Sequence, residues 1–344
     1  MNRRPAHVTS GPYAPPVPRR TLTVTSADGA RLYAEVHGPK DAPAVVLAHG
    51  WTCSTAFWAS VVRALAADHK VVVYDQRGHG RSPAAPPAGH STGALADDLV
   101  AVLEAALEPG ERAVLGGHSM GGMTIMAASG RPQLRARAAA ALLCSTGSAD
   151  LAAESRVFPL RSPQGRHRAH RLLLRSRAPL GPQSPLTRRV LKYATMGPGA
   201  TTEEVAACAR IVHGCPAGVR ARWGAVLAGV ELTGGAGGLE LPTEVLVGTA
   251  DRLTPPVQAR RLASVLPDFR GLTELPGLGH MTPVEDPAAV AGRLRALVRE
   301  HLHPTGAEPT DDTEPTDDTE PTDDTEPTDD TAPGGGRQTK ESTA

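Results

Sequence analysis

The stretch Gly-His-Ser-Met-Gly, residues 117–121, places a serine hydroxyl between two glycines directly after an apolar run. This spacing matches the G-x-S-x-G pattern, in which the serine lies on a tight turn between a strand and a helix. The flanking glycines leave room for the strand and the helix to approach each other, and the helix N–H groups point at the serine. The pattern predicts that Ser119 is a nucleophile, and its alternative interpretation is a plain strand-to-helix turn.

A serine hydroxyl is a weak nucleophile near neutral pH, so it needs a histidine to take its proton and an acid to orient that histidine. Asp251 follows the apolar run TEVLVGTA, and His280 follows the run GLTELPG, each in a loop after a predicted strand. The order Ser, Asp, His is the one expected for a nucleophile on such a turn. We therefore predict a triad of Ser119, Asp251 and His280. Taken singly, His280 also fits a surface histidine and Asp251 a turn residue.

Attack on a carbonyl creates an oxyanion, which two backbone N–H groups are expected to stabilise. One donor is expected from Met120, the residue directly after the nucleophile. The other is expected in the loop after the run PAVVLAHG, where Trp51 offers its N–H. The indole of Trp51 is also expected to pack and to form a wall of the pocket.

The elements that position these residues alternate along the chain. Strands are predicted from short apolar runs at residues 43–50, 70–76, 112–119, 138–146, 243–250 and 271–277, after an opening hairpin at 21–38. Helical patterns occupy 54–69, 92–107, 120–130 and a last stretch beginning near Pro287. Strands that alternate with helices predict an α/β fold, a mostly parallel central sheet with helices on both faces.

Four parts of the chain differ in composition. Residues 1–20 are rich in Pro and Arg and are predicted to be disordered, while 21–147 and 239–303 form the α/β core. Residues 148–238 lack a convincing strand and are predicted to form a helical cap over the carboxyl edge of the sheet, where ligands bind. Residues 304–344 contain EPTDDT four times and are predicted to be a disordered acidic tail, either a spacer or an electrostatic segment.

The neutral net charge hides an asymmetry between these parts. From Glu308 to the end, the chain has thirteen acidic and two basic residues. The part before Glu308 has 34 basic and 23 acidic residues, so it is positively charged and the tail is negatively charged. No run approaches the roughly 18 apolar residues of a membrane span, and the N-terminus lacks the apolar core of a secretory signal. We therefore expect a cytoplasmic protein with reduced thiols at its four cysteines, Cys53, Cys144, Cys208 and Cys215.

Five stretches together resemble the α/β-hydrolase superfamily, most of all its esterase, lipase and cofactor-free haloperoxidase-like branches. They are LAHGWT (47–52), YDQRGHGRS (74–82), GHSMGG (117–122), GTADRLTP (248–255) and the GLGHM that ends at Met281. The resemblance covers roughly residues 21–302 and assigns the triad and the oxyanion donors to the same residues. It offers Asp150 as an alternative acid, and it implies that Arg77 and His79 are structural. Ser119 argues against dehalogenases and epoxide hydrolases, which carry an aspartate there.

These features predict a serine hydrolase that cleaves a carboxylic ester or related acyl bond, with a small acyl compound as substrate and no metal or organic cofactor. A perhydrolase, an acyltransferase and a carbon–carbon bond hydrolase share the same triad, and a non-catalytic binding protein is the remaining alternative.

The first half of the cap has ten Arg or Lys and no acidic residue from Ser155 to Lys192. It is predicted to contact a lipid interface or an anionic substrate, to bind the protein's own acidic tail, or to be an ordinary solvated surface. No motif indicates nucleic-acid binding.

Overall fold

The computed structural model describes residues 11–302. The acidic tail predicted for 304–344 lies outside the described residues, as do the first ten residues of the predicted N-terminal segment. From residue 11 on, that segment is packed against the core: the carbonyls of Pro12 and Ala14 accept hydrogen bonds from Arg63. The predicted boundaries between core, cap and tail stay predictions.

Eight strands form one sheet in the order β1-β2-β4-β3-β5-β6-β7-β8. The pairs β1·β2 and β2·β4 are antiparallel and all the others are parallel, which confirms the predicted fold class. The central strands are buried along their whole length, because helices cover both faces of the sheet. The strands are β1 Arg20–Thr25, β2 Arg31–His37, β3 Ala44–Ala48, β4 Lys70–Asp75, β5 Ala113–His118, β6 Ala138–Cys144, β7 Thr243–Gly248 and β8 Phe269–Leu275.

The core helices pack on the sheet through two apolar clusters, one on each face. Leu99 of α2 and Leu262 of α11 belong to one cluster, and Val62 of α1 and Leu294 of α13 to the other. The helices α4 and α11 were not predicted from the sequence; each begins with a proline at its first helical residue. The bounds are α1 Ala59–Leu65, α2 Thr92–Ala106, α3 Met120–Ala127, α4 Pro132–Arg137, α11 Pro256–Val265, α12 Thr282–Glu285 and α13 Pro287–His301.

Six helices occupy the chain between β6 and β7, and we call this segment the cap. An antiparallel bridge between Ala149 and Glu231 joins the two ends of this segment where it leaves and re-enters the core. None of the helices within residues 11–302 combines the length and the apolar character that crossing a membrane requires. The cap helices are α5 Leu151–Glu154, α6 Pro163–Leu174, α7 Pro185–Thr195, α8 Thr202–Gly214, α9 Ala217–Leu227 and α10 Thr233–Gly237.

A buried ion pair anchors the turn that follows β4. Arg77 donates to Asp98 of α2 with its Nε at 2.7 Å, and both side chains are 1% exposed. The Arg77 carbonyl in turn accepts a hydrogen bond at 3.1 Å from the indole N–H of Trp223 in the cap. The pair therefore fixes the segment on which the cap is seated.

Replacing Asp98 by alanine is expected to lower the free energy of unfolding by about 3–5 kcal/mol, because it leaves the Arg77 guanidinium buried and partly unpaired. The neighbouring substitution Asp97→Ala is the matched control. Asp97 pairs with Arg131 at the surface, so its loss should cost less than about 1 kcal/mol. Urea unfolding of both variants measures the difference, and equal costs would contradict the role of the buried pair.

Candidate active site

Ser119 lies on the turn between β5 and α3 in a strained backbone conformation. Its φ is 52° and its ψ is −116°, a region that non-glycine residues rarely adopt. A Cβ on Gly117 would lie 2.6 Å from the carbonyl oxygen of Gly121, and one on Gly121 would overlap the carbonyl of Ala48. The two glycines therefore let β5, β3 and α3 converge on the turn, as the pattern requires. Strain of this kind is characteristic of functional sites.

Asp251 and His280 meet in the loops that follow β7 and β8. The Nδ1 of His280 lies 2.8 Å from Oδ2 of Asp251, and both residues are buried. The other carboxylate oxygen of Asp251, Oδ1, accepts the backbone N–H groups of Leu253 and Thr254 at 2.8 and 2.9 Å. These bonds fix the orientation of the carboxylate and leave Nε2 of His280 as the ring nitrogen available to the cavity described below.

Thr254 completes this pair and was not singled out from the sequence. Its hydroxyl oxygen lies 2.8 Å from Asp251 Oδ2, 2.9 Å from the Ser145 carbonyl and 3.1 Å from His280 Nδ1. The hydroxyl therefore touches both members of the pair and ties them to the end of β6. A signal was present, since Thr254 stands three residues after Asp251, but its contact with Ser145 depends on the tertiary fold.

Two backbone N–H groups are available beside Ser119. Within residues 11–302, the N–H groups of Trp51 and Met120 have no hydrogen-bond acceptor. Met120 is the first residue of α3, and Trp51 lies in the loop after β3. The next residue in that loop, Thr52, has a φ of 63°, a second strained position at the site. The indole of Trp51 donates to the Arg220 carbonyl at 3.0 Å, so its side chain joins the loop to the cap.

Two buried histidines hold this loop in place. Burial lowers the pKa of His49 to about 4 and that of His79 to about 3, so both rings are neutral at neutral pH. A neutral ring has one nitrogen that accepts: Nε2 of His79 accepts the Thr52 N–H at 3.3 Å, and Nε2 of His49 accepts the Gln76 N–H at 3.0 Å. His79 thus supports the loop from behind and lies outside the cavity.

His118, the residue before Ser119, holds the loop after β8 that carries His280. Its Nε2 donates to the His280 carbonyl at 2.8 Å, and the two rings lie 4.9 Å apart between centroids. Burial and the neighbouring His280 lower the pKa of His118 well below its usual range. A neutral ring there fixes the backbone of His280 without placing a second positive charge beside it.

A cavity of about 570 Å³ opens above Ser119 and is largely apolar. Ser119, His280, Trp51 and Thr254 form its floor, and cap residues form most of the remaining lining. The cap contribution includes Val157, Leu173, Leu174, Leu180, Leu186, Val190, Leu191 and Val212. The arrangement offers a hydroxyl, a histidine with an acid partner and two free N–H groups at the base of an apolar chamber.

Comparison with known proteins agrees with this architecture. A model of the alpha/beta hydrolase family matches residues 45–293 of the chain. The chain belongs to the α/β-hydrolase family. The α/β-hydrolase resemblance, the fold class and the assignment as an enzyme are thereby confirmed.

Relatives of this α/β hydrolase carry hydrolase and esterase names. It is 34% identical over 270 residues to a putative carbamate hydrolase RutD of Variovorax paradoxus, covering 76% of this chain and 93% of the relative. It is 27% identical over 285 residues to a bifunctional esterase/perhydrolase of Acinetobacter calcoaceticus, covering 80% and 99%. A thermophilic esterase from Thermogutta terrifontis has a similar structure, with a TM-score of 0.66, 25% identity and coverage of 81% and 98%.

Asp150, the alternative acid considered from the sequence, does not contact His280 in this α/β hydrolase. Asp150 is exposed, and its carboxylate lies 3.5 Å from the guanidinium of Arg261. Asp251 is the acid in contact with His280. Of the five residues predicted from the sequence, Ser119, His280 and Trp51 line the chamber. Asp251 lies behind His280 and Met120 directly follows Ser119, while Asp150 is away from all of them.

Proposed function

We propose that this α/β hydrolase is a serine esterase that cleaves carboxylic esters with an apolar acyl group. The observation that carries the proposal is the arrangement at the base of the cavity. Ser119 stands on a strained turn and lines the same apolar chamber as His280, whose Nδ1 contacts Asp251 at 2.8 Å. The esterase names among the relatives support the reaction type, and the apolar lining supports the acyl class.

The proposed reaction proceeds through an acyl-enzyme. Ser119 Oγ attacks the ester carbonyl while Nε2 of His280 takes its proton, and Asp251 stabilises the imidazolium that forms. The N–H groups of Trp51 and Met120 donate to the oxyanion. His280 then gives the proton to the leaving alcohol. In the second half, water attacks the acyl carbonyl with His280 as the base, which releases the acid and restores Ser119.

Carbamate hydrolysis is the second candidate, because a putative carbamate hydrolase is 34% identical to the chain. The cavity argues for the ester. A small polar carbamate would leave most of the 570 Å³ unfilled and its apolar walls without a partner. An apolar acyl chain would bury that surface, and each buried methylene contributes about 0.8 kcal/mol.

A series of p-nitrophenyl esters from acetate to palmitate tests the proposal. We expect kcat/KM to rise severalfold per methylene at first, since each methylene adds apolar burial, and then to level off where the chamber is filled. A carbamate assayed beside the series should react far more slowly. If the folded protein hydrolyses the carbamate and none of the esters, the ester proposal is wrong.

Thr254 is proposed as a positioning residue for the triad. Replacing it by valine keeps the shape of the side chain but removes the hydroxyl from Asp251 and His280. We expect kcat to fall about tenfold with KM unchanged, as for the loss of one hydrogen bond to a charged group. Thr254→Ser keeps the hydroxyl and is expected to recover most of kcat. Equal losses in the valine and serine variants would indicate a packing role instead.

A further inference from the structure

Exposed apolar side chains are concentrated on one part of the cap. Seven of the ten large hydrophobic residues that are exposed within residues 11–302 lie between positions 160 and 193. Leu172 is 75% exposed on α6, and Leu186 and Val190 are 71% and 60% exposed on α7. Scattered exposed leucines are common on soluble proteins, but a cluster of this kind indicates a contact surface.

This cluster surrounds the entrance to the cavity. Leu173, Leu180, Leu186 and Val190 are exposed to solvent and also line the chamber that reaches Ser119. The outer surface and the substrate chamber are therefore continuous in apolar character. We call this surface, formed by α6, residues 175–184 and α7, the basic mouth, for the charges described next.

The same surface carries only positive charge. Residues 163–195, which form the basic mouth, contain eight Arg or Lys and no acidic residue, and within the described chain none of the eight forms an ion pair. Arg168 and Leu172 on α6 and Arg175 directly after it are spaced by four and three residues, so they share one exposed face with Arg171 beside them. On α7, Leu186, Val190 and Tyr193 repeat that spacing with Arg189 beside them. Basic residues that flank an exposed apolar stripe are typical of helices that lie in a lipid interface.

We propose that the basic mouth docks on an anionic lipid surface, and that the acyl chain of the substrate enters the chamber from that surface. An anionic bilayer satisfies both features of the mouth, because its headgroups attract the arginines and its hydrocarbon accepts the leucines. An acidic peptide such as the EPTDDT repeat satisfies only the charge, since the repeat has no large apolar side chain. The inference rests on the proposed esterase function and names its substrate class as esters of long acyl chains held in a membrane.

Vesicle flotation of the full chain tests the docking. Wild type is expected to bind vesicles that contain anionic phosphatidylglycerol and not vesicles of phosphatidylcholine alone. The cap variant carries four substitutions outside the cavity lining: L172S, R168S, R171S and R175S. Its binding is expected to be about 100-fold weaker, since each basic residue near an anionic surface contributes about fivefold. A matched control removes three exposed arginines and one exposed hydrophobic residue elsewhere and should bind as wild type does: R19S, R31S, R299S and V257S.

Two outcomes overturn the docking proposal: no binding of wild type to anionic vesicles, or equal losses in the cap variant and the control. Binding of a synthetic EPTDDT peptide, lost in the cap variant, without binding to vesicles would assign the mouth to an acidic peptide and also overturn it. If the cap variant lacks activity on a soluble p-nitrophenyl ester, the single variants R171S and R299S are compared instead. About fivefold weaker vesicle binding is then expected for R171S and no change for R299S.

The soluble assay separates this inference from the function on which it rests. Retained ester hydrolysis in a cap variant that no longer binds vesicles supports the docking surface. If wild type hydrolyses esters fully but does not bind anionic vesicles, only the docking proposal is wrong. If wild type binds anionic vesicles but hydrolyses no ester, the proposed esterase function is wrong and the docking surface is still supported.

Discussion

Replacing Ser119 by alanine is expected to lower the turnover of p-nitrophenyl esters by about a millionfold, as is typical when a triad nucleophile is removed. The change deletes the hydroxyl proposed as the nucleophile, which stands at the base of the apolar chamber. It removes no hydrogen bond from the described structure, because the Ser119 hydroxyl has no partner within residues 11–302. Stability should therefore stay near that of wild type while turnover disappears.

Ser129→Ala is the matched control for this loss. Ser129 follows the same helix α3 and is 8% exposed, compared with 9% for Ser119. Its replacement is expected to leave turnover unchanged. Turnover of the Ser119 variant within tenfold of wild type would contradict the assignment of Ser119 as the nucleophile, because another group would then have to attack the ester.

Replacing Asp251 by asparagine is expected to lower kcat by about ten-thousandfold. Oδ1 of Asp251 accepts two backbone N–H groups, so the amide oxygen of asparagine must take that position. The amide NH₂ then faces Nδ1 of His280, which has to accept instead of donate. That tautomer carries its proton on Nε2, where it cannot accept the proton of Ser119.

Asp150→Asn is the control that separates the two acids considered from the sequence. Asp150 contacts Arg261 at the surface and not His280, so its replacement is expected to leave kcat within about twofold of wild type. Steady-state kinetics on one soluble ester compares both variants. A large loss at Asp150 with a small one at Asp251 would transfer the role of the acid.

The residues of the candidate site were accessible from the sequence because each stands at the end of a strand. Ser119, Asp251 and His280 directly follow or lie close to runs whose apolar character predicts β5, β7 and β8. In a parallel sheet the carboxyl ends of such strands meet at one edge, so the local pattern is sufficient to bring the loops together. Their proposed roles in the reaction stay predictions.

The supporting residues were not accessible, because their contacts join distant parts of the chain. The Thr254 hydroxyl reaches the Ser145 carbonyl across 109 residues, and His79 reaches the Thr52 N–H across 27. No spacing rule connects such positions. The sequence also cannot separate Leu173 from its neighbour Leu174, although packing leaves the first 42% exposed and the second 4% exposed. The sequence therefore showed the basic charge of this part of the cap, but which of its leucines are exposed became visible only in three dimensions.

Covalent labelling identifies the nucleophile of the enzyme chemically. The protein is incubated with an alkyl fluorophosphonate, which phosphonylates activated serine nucleophiles, and its intact mass and peptides are then measured. We expect one adduct per chain, located on the peptide that contains Ser119, and no adduct in Ser119→Ala. An adduct on a different residue, or an unlabelled wild-type protein that still hydrolyses esters, would show that Ser119 is not the nucleophile.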